Sequence, residues 1–178
     1  MKFIKDLLFF EITATGSDTE KDSVIQLAAT VLDKDNLLEK NYFKAFIRVS
    51  YLDNIIWEHA KLLRIPPEVL KKSQKIYDVI KKFRTNFGPE HLLVTHTLSN
   101  VMFLKQAFKK AVIPWDYDLH AIDLWTLGYV YTLNYGMKKM PSANTLFDYF
   151  KIKQENPYDA LEKVRHEAEV FRKIIREV

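Results

Sequence analysis

One acidic residue interrupts the first apolar segment of the chain. Leu7–Ile12 is apolar except for Glu11, which stands near the end of the segment. A carboxylate at the end of a buried strand either emerges into solvent or lines a cleft, where it binds a hard cation or transfers a proton. Two further groups able to exchange protons, His96 and Lys163, lie far along the chain. His96 closes a second apolar run, and Lys163 lies one helical turn before His166.

Five segments have the patterns of strands that would position these groups. Leu7–Ile12 is typical of a strand buried on both faces, and Val24–Leu32 of a second one. Asn41–Val49 alternates apolar and polar residues, which predicts a strand with two distinct faces. Three strands in succession favour an antiparallel meander. Two later apolar runs, Leu92–Thr95 and Tyr117–Ile122, complete the predicted strands.

Helical patterns fill most of the remaining chain. They are marked by proline at helix starts, glycine at helix ends, a serine cap and apolar residues three or four apart. The predicted helices are a short one beginning at Pro66, then Ile76–Phe87, Val101–Ala111, Leu124–Tyr135, a helix from Ser142 to Phe150, and Asp159–Arg176. This order predicts an α/β fold with a mixed five-stranded sheet flanked by helices, in one domain spanning residues 1–178.

Composition narrows the classes of function. The 178 residues contain no cysteine, which excludes disulfides and thiolate metal sites and fits a reducing compartment. No run of about 18 apolar residues is present, and the charged N-terminus is unlike a signal peptide, so a cytoplasmic protein without a membrane segment is expected. The net charge of +4 favours anionic partners, nucleic acid among them, although a lysine-rich solvated surface has the same balance.

The start of the chain carries a recognisable motif. Residues 7–16 read Leu-Leu-Phe-Phe-Glu-Ile-Thr-Ala-Thr-Gly. They resemble the first motif, Asp-x-Glu-x-Thr-Gly, of the DEDDh 3′–5′ exonucleases, such as the exonuclease domain of the DNA polymerase III epsilon subunit. The resemblance implies a ribonuclease H-like fold, with three antiparallel strands followed by two parallel ones. Glu11 then takes the position of the family's Asp, and Thr13 that of its Glu.

Two later segments resemble the family's other motifs. Residues 92–104 look like its strand–turn–helix, and Asn100 falls on the metal-binding Asp if one residue is deleted, whereas Val101 does so without the deletion. Residues 157–169 look like its last helix, with Tyr158 where the catalytic His belongs and Lys163 where the last Asp belongs. The family site positions are therefore Glu11, Thr13, Asn100, Tyr158 and Lys163.

These substitutions bear directly on catalysis. In the family four carboxylates hold two divalent metals, which clamp the attacking and leaving oxygens of a phosphodiester, while a histidine activates water. Only Glu11 keeps a carboxylate, so Mg²⁺ or Mn²⁺ is expected only if the site is active, with Glu11 as its ligand. Lys163 adds a positive charge where two cations should bind, and pairing with Glu11 would replace the metals electrostatically.

The resemblance therefore predicts a pseudoenzyme, a degenerate exonuclease-like domain that binds nucleic acid or a protein without catalysis. Two alternatives stay open: an active exonuclease with an atypical site, and an interaction protein that does not touch nucleic acid. The predicted ligand is a single-stranded 3′ end. The residues expected to border it are Thr15, Gly16, His96, Lys138 and Lys139, with Trp57 and Trp115 as candidates for base stacking.

Overall fold

A five-stranded mixed sheet forms the centre of the protein. The computed structural model describes residues 2–49, 64–134 and 139–177. The strands lie in the order β3-β2-β1-β4-β5. Their bounds are β1 Leu7–Ala14, β2 Val24–Leu32, β3 Glu39–Phe46, β4 Leu92–Thr95 and β5 Ala121–Asp123.

The pairing of the strands confirms the predicted fold class. The first three strands form an antiparallel meander, in which Glu11 of β1 lies opposite Ala28 of β2. β4 then pairs in parallel with β1, and β5 in parallel with β4. The carboxyl ends of β1, β4 and β5 therefore lie along the same edge of the sheet, and segments that follow these strands meet there.

Helices cover both faces of the sheet. They are α1 Pro67–Lys72, α2 Ile76–Asn86, α3 Ser99–Lys110, α4 Leu124–Asn134, α5 Ala143–Tyr149 and α6 Ala160–Glu177. Ser142 caps α5 as predicted, because its Oγ accepts a hydrogen bond from the Thr145 amide at 3.2 Å. Within the described ranges, no helix is long and apolar enough to cross a membrane.

The side chains of β1 alternate between two hydrophobic cores. Leu8 and Phe10 pack into the core that α2 and α3 cover. Leu7 and Phe9 face α6, where the ring of Phe9 lies 5.4 Å from that of Phe171 in an edge-to-face contact. Because successive side chains point to opposite faces of a strand, the odd-numbered residue Glu11 also faces α6.

Polar contacts fix the position of α6 on the sheet. Asp159 caps the helix by accepting a hydrogen bond from the Leu161 amide at 2.9 Å. The same carboxylate pairs with Lys44 of β3 at 2.7 Å. One and a half turns further along, Arg165 pairs with Glu39 of β3 at 2.6 Å. Residues between these two anchors, including Lys163, are held at a defined distance from the sheet.

The prediction of a strand over Tyr117–Ile122 is wrong for most of its length, because β5 covers only Ala121–Asp123. Tyr117 is buried and donates a hydrogen bond from its hydroxyl to the backbone oxygen of Phe87. Asp118 accepts a hydrogen bond from the His120 amide at 3.0 Å, which forms a local turn. The apolar pattern here indicated burial, but the turn prevents pairing with β4.

Candidate functional site

Glu11 is a largely buried carboxylate near the end of β1. It is 8% exposed, and it lies on the face of the sheet covered by α6. A buried carboxylate is costly unless charged or hydrogen-bonding groups surround it, so its neighbours define the chemistry of the site.

Both carboxylate oxygens of Glu11 have partners. Asn100, in the first turn of α3, donates from Nδ2 to Oε2 of Glu11 at 2.6 Å and to Oγ1 of Thr95 at 2.8 Å. Lys163, on α6, donates from Nζ to Oε1 of Glu11. Residues from two distant segments, α3 and α6, thus meet Glu11 of β1. Val101, the alternative to Asn100, packs instead into the core on the opposite face of the sheet.

A second carboxylate, which the motif comparison did not single out, lies beside this cluster. Glu167 is fully buried on α6, and its Oε1 lies 4.0 Å from Nζ of Lys163. Neither oxygen of Glu167 has a hydrogen-bond partner within the described part of the chain. Burial, and then the negative charge of Glu11, raise the pKa of Glu167 well above its usual range. A signal was present in the sequence, since position 167 falls within the buried stripe of the helix between Val164 and Phe171.

The charges of this cluster favour a protonated lysine. Burial alone lowers the pKa of Lys163, but the charges of Glu11 and Glu167 and the hydrogen bond to Glu11 outweigh it, so the pKa is raised. Burial, and then the positive charge of Lys163, lower the pKa of His96. The site therefore holds a lysine ammonium next to a carboxylate, with a neutral imidazole nearby.

A cleft of about 500 Å³ opens beside the cluster, on the side of β2 and β3. Tyr158 lines it with 39% of the residue exposed, and the guanidinium of Arg64 lies 4.7 Å from the centre of its ring. The Tyr158 side chain thus borders the cleft rather than joining the hydrogen bonds around Glu11. The cleft is lined by Gln26, Lys44, Phe46, Arg64, Ile65, Pro66, Glu155, Asn156, Tyr158 and Asp159.

Thr15 and Gly16 belong to a loop organised by Asp22. Thr15 donates from Oγ1 to the Asp22 carboxylate at 3.1 Å, and the amide of Asp18 donates to the same group at 2.8 Å. A Cβ atom at Gly16 would lie 2.4 Å from Oδ2 of Asp22. A larger residue at position 16 would displace this carboxylate from its hydrogen bonds to Thr15 and Asp18, which gives a reason for the glycine independent of any ligand.

A profile of the exonuclease family, the RNase T group, matches residues 10–171. The chain belongs to the RNase T exonuclease family. The match includes Glu11, Asn100 and Lys163 within one domain profile, although a sequence search of curated proteins gave no significant match.

Solved structures of DEDDh exonucleases share the fold of this exonuclease-family chain. Cell-death related nuclease 4 superposes with a TM-score of 0.83 at 14% identity, over 97% of this chain and 64% of the nuclease. The nuclease domain of 3′hExo, a DEDDh family member bound to rAMP, gives a TM-score of 0.76 at 13% identity, over 99% and 95% of the two chains. E. coli exonuclease I in complex with a dT13 oligonucleotide gives 0.75 at 14% identity, over 98% of this chain and 41% of the enzyme. The chain thus spans less than two thirds of nuclease 4 and of exonuclease I, and these low identities establish the fold alone.

The side chains around Glu11 do not fit a pair of divalent cations. Mg²⁺ and Mn²⁺ prefer several anionic oxygen ligands, but both oxygens of Glu11 already accept hydrogen bonds from Asn100 and Lys163. In residues 2–49, 64–134 and 139–177, no group of three or more His, Asp or Glu side chains could hold a metal ion. A zinc-bound form of E. coli exonuclease I is among the matching structures.

The remaining candidate residues lie around the cluster or away from it. Thr13 lies two residues beyond Glu11 on the same face of β1, opposite Gln26. His96 is buried at the end of β4, and its carbonyl accepts a hydrogen bond from the amide of Trp125 at 3.0 Å. Lys139 is exposed, and Lys138 lies outside the described residues.

His166 and Trp115, a candidate for base stacking, also have defined places. His166 packs edge-to-face against Phe147 at 5.5 Å and lies 3.8 Å from Glu162, so it belongs to the α5–α6 contact and not to the Glu11 cluster. Trp115 is partly buried and packs edge-to-face against Phe108, with the ring centres 5.3 Å apart. Trp57, the other stacking candidate, lies outside the described residues.

Proposed function

We propose that this chain is an exonuclease-family domain that binds single-stranded nucleic acid without hydrolysing it. The observation that carries the proposal is the ion pair between Lys163 and Glu11. Metal-assisted hydrolysis requires anionic ligands that hold cations, which in turn ionise a water and stabilise the transition state. A tethered ammonium supplies positive charge at this position, but it is not a Lewis acid and cannot ionise a bound water as a metal ion does.

Three features support a nucleic-acid ligand. The net charge of +4 and the isoelectric point near 9.0 favour a polyanion. The cleft beside the cluster exposes the ring of Tyr158 and the guanidinium of Arg64, while the charge of Lys44 is balanced by Asp159 on the same wall. Among proteins of the same fold, one recognises a histone mRNA stem-loop and another binds a dT13 oligonucleotide. The lack of cysteine supports a cytoplasmic setting.

Two assays on the same protein test the proposal. Binding is measured by fluorescence anisotropy with labelled DNA and RNA single strands of about twelve nucleotides in EDTA. Hydrolysis is followed over time on the same strands with Mg²⁺ and with Mn²⁺. The expected result is salt-sensitive binding with no shortening of either strand.

The outcomes separate the three candidate functions. Metal-dependent shortening from the 3′ end that is abolished by Glu11→Ala, but not by the surface control Lys72→Ala, would overturn the proposal in favour of an active exonuclease. Absence of both binding and hydrolysis would also overturn it, and would favour the interaction protein. Binding that persists in EDTA supports the proposal, because a strand held through a metal ion would be released.

A further inference from the structure

Helix α4 presents an unusual apolar face to solvent. Side chains at positions 126, 129, 130 and 133 share the outward face of the helix. Tyr129 is 38% exposed, Val130 54% and Leu133 61%. A helix that is apolar on all sides is normally buried, so this face is a candidate binding surface.

Two aromatic rings at the start of α4 lie parallel to each other. Trp125 and Tyr129, one helical turn apart, have ring centroids 5.5 Å apart and ring planes only 4° apart. Trp125 is partly exposed, and Tyr129 is exposed. Most other aromatic pairs in the described parts of the chain meet edge to face or tilted inside the cores, so this stack is an unusual surface feature.

The stack begins at the sheet edge that holds the Glu11 cluster. The amide of Trp125 donates to the carbonyl of His96 at 3.0 Å, directly after β4. Asp123 caps α4 by accepting from the Thr126 amide at 2.6 Å, and it also accepts from the amide of Leu98 at 3.1 Å. The start of α4 and the stack are therefore attached to the same ends of β4 and β5 that follow the Glu11 strand in the sheet.

The charge of this region suits a polyanion. Residues 124–147, which lie between Asp123 and Asp148, contain no aspartate or glutamate, and they include Lys139. Lys139 is exposed. Every nucleobase has a flat face that stacks on aromatic rings regardless of sequence, and lysines near the path contact the phosphates. An acidic partner would use only the lysine charge, and a purely apolar partner would use only the rings. A single strand uses both.

We propose that the Trp125–Tyr129 stack is a platform on which the bases of a bound single strand lie. The inference rests on the proposed function, since it names where on the surface the strand is read. It requires that bases, and not only phosphates, contribute to affinity through these two rings.

The test compares three single-stranded probes of about twelve nucleotides: oligothymidylate, oligouridylate and a sugar–phosphate chain without bases. Trp125→Ala should weaken binding of both base-bearing probes by at least about fivefold and leave the baseless probe unchanged. Trp125→Phe retains a ring, so it should bind nearly as tightly as the wild type. It should lose most of the quenching of tryptophan fluorescence that accompanies binding. Tyr77→Ala, at an exposed aromatic residue on α2, is the matched control and should have no effect.

The results distinguish failure of the platform from failure of the proposed function. If the wild type binds the probes and Trp125→Ala binds them equally well, the platform is wrong while nucleic-acid binding stands. Equal weakening of the base-bearing and baseless probes would also contradict stacking. If the wild type binds no probe, the proposed function fails and the platform with it. Should Trp125→Ala unfold, the fluorescence difference between the wild type and Trp125→Phe decides, and an equal quench in both overturns the platform.

Discussion

Lys163 of the last helix donates a hydrogen bond to Glu11 of the first strand, across 152 positions of sequence. The side chain of Glu11 is 11% exposed and that of Lys163 is 30% exposed, so the pair is poorly screened by water. Because α6 is anchored to β3 on both sides of Lys163, the lysine is held in place before any ligand arrives. Lys163 therefore acts as a built-in counter-ion for Glu11, the carboxylate that aligns with a metal ligand of the family.

Removing one partner of this pair should lower the free energy of unfolding more than removing both partners does. Lys163→Met leaves the Glu11 charge buried without its cation, and we expect the free energy of unfolding to fall by about 2–4 kcal/mol. Adding Glu11→Gln removes the unpaired charge and should restore part of this loss. A double-mutant cycle measured by urea unfolding should give a coupling energy of about 1–2 kcal/mol.

The exposed pair Lys71 and Glu68 provides the control for this cycle. Their side chains lie 3.2 Å apart at three-residue spacing and are 55% and 67% exposed. The same cycle with Lys71→Met and Glu68→Gln should give a coupling of at most about 0.5 kcal/mol. Equal coupling energies at the two sites would mean that burial of the Lys163–Glu11 pair has no energetic effect.

Glu167 should make stability depend on pH. Its pKa is raised in the folded protein, so the native state holds a proton that the unfolded chain releases. Wild-type stability therefore falls as pH rises from the unfolded pKa of about 4.3 towards the folded value. Glu167→Gln and Glu167→Met do not titrate, so both should gain stability relative to the wild type across this window. Unfolding curves between about pH 5 and pH 8 measure the gain, and a difference that is constant with pH would contradict it.

The strands were predictable because local pattern determines them. Leu7–Ile12 and Val24–Leu32 are apolar runs that only a sheet covered on both faces accommodates, and both form strands. The prediction of a strand over Tyr117–Ile122 failed because burial of Tyr117 is independent of strand pairing. Local pattern reports whether a residue is buried, and it does not report what covers the residue.

The candidate site was only partly predictable for the same reason. Choosing between Asn100 and Val101 required knowing which side chain reaches Glu11 and which packs into the core on the opposite face of the sheet. That depends on how the helices pack on the sheet. The stripe position of Glu167 indicates that this carboxylate is buried, but its proximity to Lys163 and Glu11 depends on how α6 packs on β1. The stacking of Trp125 on Tyr129 depends on side-chain rotamers, which the sequence pattern leaves open.

Restoring the family residues should restore the chemistry. The combined variant carries Glu11→Asp, Thr13→Glu, Asn100→Asp, Tyr158→His and Lys163→Asp. It replaces the ammonium with carboxylates and should bind Mn²⁺ and shorten single strands from the 3′ end. Circular dichroism first confirms folding, and a time course with labelled DNA and RNA then measures cleavage. A folded variant that binds Mn²⁺ but neither binds nor cuts a strand would favour the interaction-protein alternative.

Titration of the wild-type protein with Mn²⁺ in a calorimeter asks whether Lys163 has taken the place of the metals. Glu11→Ala is the control for any heat observed. We predict no binding with a dissociation constant below about 100 μM, since one carboxylate paired with a lysine cannot hold a dication tightly. Tighter binding that disappears in Glu11→Ala would contradict this prediction and would show that Lys163 yields its position to a metal ion.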